Sequence, residues 1–295
     1  MTANDAELDA MRRAIALSAF GLGRTSPNPP VGCVILDSSG QVVGQGYHQR
    51  KGSPHAEVNA LAAAGGRARG GTAVVTLEPC NHYGRTPPCH QALLDAGITR
   101  TVIALPDPTS RGEGGTSRLR QAGMDVESGV LADEASLVLE PWLTTLHSKR
   151  PQVIWLSRSE RDNDSDVAAV LSRTDPLRQI TDVILYENGI IEECVPGSHN
   201  ADVMSLTPVN FENDPRATLS TLYNQGIRSI VLVANAESAN IFLAQGIVDR
   251  IVIDVMPHEP SSVATSNGLS FLPQGFLLAE VSRHENRLRV MGIRS

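Results

Sequence analysis

Residues 73–105 read AVVTLEPCNHYGRTPPCHQALLDAGITRTVIAL, and this stretch decides the fold. Ala73–Leu77 is a short apolar run of strand length, Pro88–Ala96 has helical spacing and stops at Gly97, and Thr101–Leu105 is a second apolar strand. A strand, a helix and a strand in that order predict an α/β sheet covered on both faces. The residues upstream extend the pattern. Leu8, Met11, Ile15 and Ala19 define one face of a helix that Asn4 or Asp5 can cap and that Gly21 and Gly23 end. Val31–Leu36 and Val42–Tyr47 form a hairpin across Asp37-Ser38-Ser39-Gly40. A helix over Pro54–Ala64 follows, with Ser53 as N-cap and Pro54 in the first helical position, which puts His55 and Glu57 in its first turn.

The chain has 295 residues, enough for about two domains. Hydrophobic residues make up 41% and charged residues 19%, which excludes an intrinsically disordered chain. A formal charge of −7 offers no basic field for a nucleic-acid backbone and favours a small-molecule substrate. No apolar run reaches the ~20 residues of a membrane span, and Met1–Ala10 lacks the plan of a secretory signal, so a cytoplasmic protein is expected. Pro141 and Pro151 bracket a linker and divide the chain into domains at 1–144 and 150–295. Beyond the linker, Gln152–Ser157, Asp182–Tyr186, Ser229–Val233 and Arg250–Val255 read as strands, and Ala217–Asn224 and Glu237–Gln245 as helices. Phe276–Arg283 and Arg287–Met291 read as a closing antiparallel pair.

Four cysteines occur, and in a reducing compartment they are thiols or metal ligands rather than a disulfide framework. Three segments stand out together: His55-Ala56-Glu57, Glu78-Pro79-Cys80 and Pro87-Pro88-Cys89. Each of these cysteines is placed where a helix begins, which favours the thiolate that ligates metal. A catalytic zinc takes three protein ligands from imidazole and thiolate and leaves its fourth position to water; His55, Cys80 and Cys89 supply that set. Glu57 can take a proton from such a water and pass it to a leaving amine, the chemistry of hydrolytic deamination. The motif H-x-E followed by P-C-x-x-C marks zinc nucleobase deaminases, but here eight residues separate Cys80 from Cys89. His82 and His90 are competing ligands, while Cys33 and Cys194 are most simply structural.

Thr25-Ser26-Pro27-Asn28-Pro29-Pro30-Val31-Gly32, Gly44-Gln45-Gly46-Tyr47-His48, His55-Ala56-Glu57 and Leu77–Cys89 resemble the deaminase half of the bifunctional riboflavin biosynthesis deaminase/reductase family. The resemblance runs from about Asp9 to Leu131 and implies a cytidine-deaminase-like three-layer domain followed by a dihydrofolate-reductase-like α/β domain. It implies hydrolytic deamination of 2,5-diamino-6-(5-phosphoribosylamino)pyrimidin-4(3H)-one, with zinc on His55, Cys80 and Cys89 and Glu57 as proton shuttle. Asn28, His48, Arg85 and Asp107 match the family's substrate-contact positions; Arg85 and His48 are the expected partners of a phosphoribosyl group. The loop after Asp107 departs from the family's pattern and is one residue shorter, which leaves a related aminopyrimidine open as substrate.

The second half resembles the family's reductase domain in outline, from Arg150-Pro151 to the helix and strand over Ser238–Pro257. The Lys and the Ser-Leu-Asp-Gly turn expected after its first strand are absent from Ile154–Glu160, and Ala234-Asn235-Ala236 stands where the family has Glu-Gly-Gly. Side chains there obstruct close approach of a cofactor phosphate. A shortened, degenerate reductase domain is expected, with no cofactor-binding residues for NADPH and a role in folding or in a homodimer. Two alternatives are an intact bifunctional enzyme and a non-catalytic zinc scaffold that binds another enzyme of the pathway.

Overall fold

Helix α1 (Asp5–Ser18) lies so close to strand β1 (Gly32–Leu36) that a Cβ on Gly32 would stand 2.0 Å from the Ala14 carbonyl oxygen. The computed structural model describes residues 2–83, 87–109, 114–157, 171–172, 175–198, 214–255, 272–284 and 287–295. Two compact units divide it, Met1–Trp142 and Leu143–Ser295.

In the first unit, β1 is followed by β2 (Val42–Tyr47), α2 (Ala56–Ala64), β3 (Thr72–Leu77), α3 (Cys89–Asp95), β4 (Arg100–Leu105), α4 (Gly115–Gln121), β5 (Asp125–Ser128) and the part of α5 (Ala132–Ser148) up to Trp142. The five strands order as β2-β1-β3-β4-β5, antiparallel about β1 and parallel from β3 to β5. Alternation along each strand splits the core into two layers. Cys33, Ile35, Val75 and Ile103 pack with Ala56, Ala60, Leu93 and Leu119 on one side, and Val34, Val74 and Val102 pack with Met11, Ala14 and Ala135 on the other. This is the expected three-layer arrangement.

Two local readings change. On α1 the buried row is Glu7, Ala10, Met11, Ala14 and Ser18, with Leu8 and Ile15 flanking it and Ala19 exposed. The close approach at Gly32 selects small residues for the contact and pushes the larger ones to its edges. Asn4 and Glu7 close a capping box at the start of α1. Helix α2 begins at Ala56 with His55 as N-cap, not at Pro54 with Ser53. The Pro54 carbonyl is taken by the side chains of His48 and Asn59, and His55 stays extended (φ −69°, ψ 165°). The stretch read as a linker is helical, since α5 runs to Ser148 through Pro141.

The second unit carries β6 (Gln152–Ser157), α6 (Pro176–Ile180), β7 (Val183–Tyr186), β8 (Ile191–Glu193), α7 (Pro215–Asn224), β9 (Ser229–Ala234), α8 (Ala236–Ala244), β10 (Arg250–Val255), β11 (Phe276–His284) and β12 (Arg287–Arg294). Its sheet orders as β11-β12-β10-β6-β9-β7-β8, with β10, β6, β9 and β7 parallel and the remaining strands antiparallel. Val153, Trp155, Ile230 and Leu232 face Leu219, Leu222 and Phe242, while Ile154, Leu156, Val231 and Val233 face Leu177 and Cys194. Arg158-Ser159-Glu160 lie outside the described residues. No described helix is long and apolar enough to cross a membrane.

Candidate metal centre and active site

The start of α2 and the start of α3 meet beyond the end of β3, the central strand of the first sheet. There the ligand atoms of His55, Cys80 and Cys89 all lie within 4.8 Å of one another. His55 Nδ1 stands 3.3 Å from Cys89 Sγ and 3.6 Å from Cys80 Sγ. With bonds of about 2.0 Å to nitrogen and about 2.3 Å to sulfur, ligands of a tetrahedral ion stand roughly 3.6 Å apart, so this nitrogen and these two sulfurs fit zinc. The competing histidines do not join them. His82 is exposed, and His90 turns Nδ1 to the Cys80 carbonyl oxygen at 3.2 Å.

Cys89 is the first residue of α3, as expected. Cys80 is not at a helix start; it lies in the segment after β3. The start of α3 reaches it instead, through the Cys89 amide, which donates to Cys80 Sγ. The Cys89 thiol also donates to Cys80 and, helped by His55, holds the Cys80 thiol down to about 4 against its burial. Cys89 in turn is pushed up by that bond and by burial. Hydrogen bonding within the pair thus favours the thiolate on Cys80 and the thiol on Cys89. Glu57, 3% exposed, has its carboxyl pushed up by burial, opposed by His55 and reinforced by the negative charge of Cys80. The nearby Cys89 side chain opposes that rise.

Asn28 and His48 stand together, with Asn28 Nδ2 3.3 Å from His48 Nε2. His48 Nδ1 lies 3.1 Å from the Pro54 carbonyl oxygen, so this nitrogen carries the proton and Nε2 accepts from the Asn28 amide. Burial holds the His48 pKa below its ordinary value, and its ring meets that of His55 edge-on at 5.3 Å. His48, expected to meet a phosphate, is a buried ring whose two nitrogens face the Asn28 amide and the Pro54 carbonyl. Asp107 closes a turn by accepting from the Thr109 amide at 2.8 Å and hydroxyl at 2.7 Å. Its carboxyl is raised by burial, and the charges of Glu78 and Cys80 reach it. Arg85 lies outside the described residues.

Three residues shape the site through contacts that the sequence pattern did not announce. His90 holds the Cys80 carbonyl, Glu78 accepts from the Thr116 amide, and Trp142 donates Nε1–H to Pro27 O beside Asn28. Each acts across the fold on a backbone group, which neither periodicity nor residue type announces.

Residues 5–105 match the family described as the cytidine and deoxycytidylate deaminase zinc-binding region. The riboflavin biosynthesis protein RibD of Escherichia coli is 49% identical over 144 residues, 48% of this chain and 39% of that one. The match to this full-length relative thus spans well under half of its length. The diaminohydroxyphosphoribosylamino-pyrimidine deaminase of Buchnera aphidicola is 51% identical over 126 residues, 42% of this chain and 85% of that one. Among solved structures, RibD of Acinetobacter baumannii aligns with a TM-score of 0.75 at 26% identity, over 98% of this chain and 99% of that one. The deaminase/reductase of Thermotoga maritima, at 23% identity and a TM-score of 0.74, shares the two-domain fold.

Proposed function

Because the chain belongs to the riboflavin biosynthesis deaminase family, we propose that it hydrolyses the ring amine of 2,5-diamino-6-(5-phosphoribosylamino)pyrimidin-4(3H)-one to 5-amino-6-(5-phosphoribosylamino)uracil and ammonia. The observation that carries this reading is the meeting of His55, Cys80 and Cys89 beside the buried Glu57. His55, Cys80 and Cys89 would hold zinc, which would supply the Lewis acidity that makes water nucleophilic near neutral pH. Glu57 takes the proton of the attacking water and returns it to the departing nitrogen; a carboxyl raised by burial suits both directions of transfer. Asn28 hydrogen-bonds the heterocycle, held in place by His48 from behind. Asp107 contacts the substrate from the end of β4, and Arg85 meets the phosphate.

The second unit, in this reading, does not reduce the product and does not bind NADPH. The start of α8 supports this, because the chain's own side chains take its amides: Glu187 Oε2 accepts from Asn235 N at 3.0 Å and Asn235 Oδ1 accepts from Ser238 N at 2.9 Å. A cofactor phosphate would have to displace both. The unit serves folding and a homodimer, for which β11 offers a sheet edge with exposed Leu277, Leu278 and Val281. The protein acts in the cytoplasm as a domain of 1–144 joined to one of 150–295.

The test offers the phosphoribosylated diaminopyrimidine, its dephosphorylated form and cytidine side by side and measures ammonia. Release from the first alone or foremost supports the reading; preference for cytidine sinks it. Loss of NADPH absorbance that depends on added deaminated product would establish the bifunctional enzyme instead.

A further inference from the structure

Glu78 stands two residues before Cys80 and takes no part in the proton transfers above. Its amide donates to Leu105 O, the last residue of β4, at 2.9 Å, and its Oε1 accepts from the Thr116 amide in the first turn of α4 at 2.7 Å. One residue is therefore bonded both to the strand end that leads to Asp107 and to the helix that follows. Helix α4 has no cap of its own, since its N-cap is Gly114 and no side chain there bonds an amide. The Glu78 carboxylate caps it from a different element, where the helix N-terminus favours negative charge.

The packing is equally tight. A Cβ on Gly115 would stand 1.9 Å from Pro79 O, and one on Gly114 3.2 Å from Asn81 Nδ2. Pro79 and Asn81 are the two chain neighbours of Cys80. The start of α4 is thus seated on both sides of a metal ligand, and the Glu78 carboxylate keeps it there.

We propose that Glu78 is a positioning residue that fixes Cys80 relative to Asp107 by holding the first turn of α4 against Pro79 and Asn81. The proposal rests on His55, Cys80 and Cys89 being metal ligands, as read above.

The test compares the full chain with Glu78→Ala, Glu78→Gln and Thr116→Pro. Proline is tolerated in a first helical turn but removes the amide that Glu78 accepts. Zinc transfer to a competing chelator and the visible spectrum of the cobalt-loaded protein are read first, because neither needs the substrate. Glu78→Ala and Thr116→Pro should each weaken zinc retention about 10- to 100-fold and shift the cobalt spectrum, as loss of a group supporting a ligand does. Glu78→Gln, which keeps an acceptor, should restore both. The double variant should lose no more than either single one. With the diaminopyrimidine, KM should rise more than kcat falls, since Asp107 is displaced as well. A Glu78→Ala protein with a lower melting temperature but wild-type zinc retention, cobalt spectrum and KM overturns the proposal and leaves Glu78 a helix cap alone. Should that variant not fold, Thr116→Pro draws the same distinction with Glu78 intact. A wild-type chain that takes up no zinc overturns the metal reading itself, an outcome distinct from the first.

Discussion

The Cys89 backbone amide donates to Cys80 Sγ over 3.3 Å, so the first turn of α3 commits its free amide to a sulfur nine residues earlier in the chain. The Cys89 thiol is the stronger donor to that sulfur, His55 and this amide add to it, and burial opposes them, leaving Cys80 at about 4 from an ordinary 9.0. A thiol lowered by folding contributes stability that is fully present above its unfolded value and is lost as pH falls through its folded value. In metal-free protein the ultraviolet absorbance of one thiolate should therefore persist from neutral pH down to about 4, with the contribution of Cys80 to stability rising with pH between about 4 and 9. Cys80→Ser should abolish that step. A step near pH 9 in its place would show that the donors do not act on Cys80.

Glu57→Gln should lower kcat by about 10²- to 10⁴-fold, the usual effect of a positioned acid–base group. Zinc content should not change, because Glu57 is not among the three gathered ligand residues. The melting temperature should not fall either, as a neutral side chain of the same shape replaces a carboxyl that burial disfavours. Retained ammonia release in this variant would falsify the assignment of the proton transfer.

His48 separates two ways of holding the substrate. Were it a phosphate contact, its loss would weaken the phosphoribosylated compound and spare the dephosphorylated one. Since it accepts from Asn28 and donates to Pro54 O, His48→Leu should instead raise KM for both compounds by a similar factor. Removing one neutral hydrogen bond of this kind costs about 1 kcal/mol, or roughly fivefold. Steady-state kinetics with the two compounds decides, and a selective loss for the phosphorylated one would return the phosphate to His48.

Much of the sheet was legible because its strands are apolar runs bounded by glycine, proline or polar turns; Val42–Tyr47, Gln152–Ser157 and Arg250–Val255 fall where the pattern put them. The three residues of the candidate metal centre, His55, Cys80 and Cys89, were singled out by residue type and order, and the fold brings them together. Helix α4 was not, because in Gly115–Gln121 only Gly115 and Leu119 are buried, too little to mark a period. Helix α5 was not read either, and its later part was taken for a linker because of Pro141, which removes the bond to the Leu137 carbonyl. Leu137 is 77% exposed, so water can take that carbonyl and the helix continues. The contacts of Glu78 and His90 escaped notice for another reason. Their partners are the Thr116 amide and the Cys80 carbonyl, and backbone groups 38 and 10 residues away leave no trace in side-chain pattern.

The approach of α1 to β1 sets a steric limit. Gly32→Ala would place a methyl carbon 2.0 Å from Ala14 O, with Ala14 C at 2.9 Å and Ser18 N at 3.0 Å. The obstacle is helix backbone, which cannot turn aside as a side chain can, so the cost should reach or exceed the roughly 1–3 kcal/mol of ordinary overpacking. Thermal unfolding should show a clear drop in midpoint. An unchanged midpoint would mean that α1 does not sit on β1 at this distance.

In the second unit, Arg289 is buried between two carboxylates, with NH1 and NH2 each 3.0 Å from Asp175 and Nε and NH2 at 2.8 and 2.7 Å from Asp254. Asp175 also caps α6 by accepting from Leu177 N, so the arginine ties β12 to β10 and to the start of that helix. Arg289→Met keeps most of the volume but leaves two buried carboxylates without a cation, a loss of about 3–5 kcal/mol. Arg289→Lys keeps the charge but cannot span both carboxylates with a rigid fork, and should recover only part of the loss. Denaturant midpoints for the three proteins should therefore rank wild type, lysine, methionine. Adding Asp175→Asn and Asp254→Asn to the methionine variant removes the stranded charges and should raise its midpoint again. A methionine variant as stable as wild type would show that the cluster contributes no net stability.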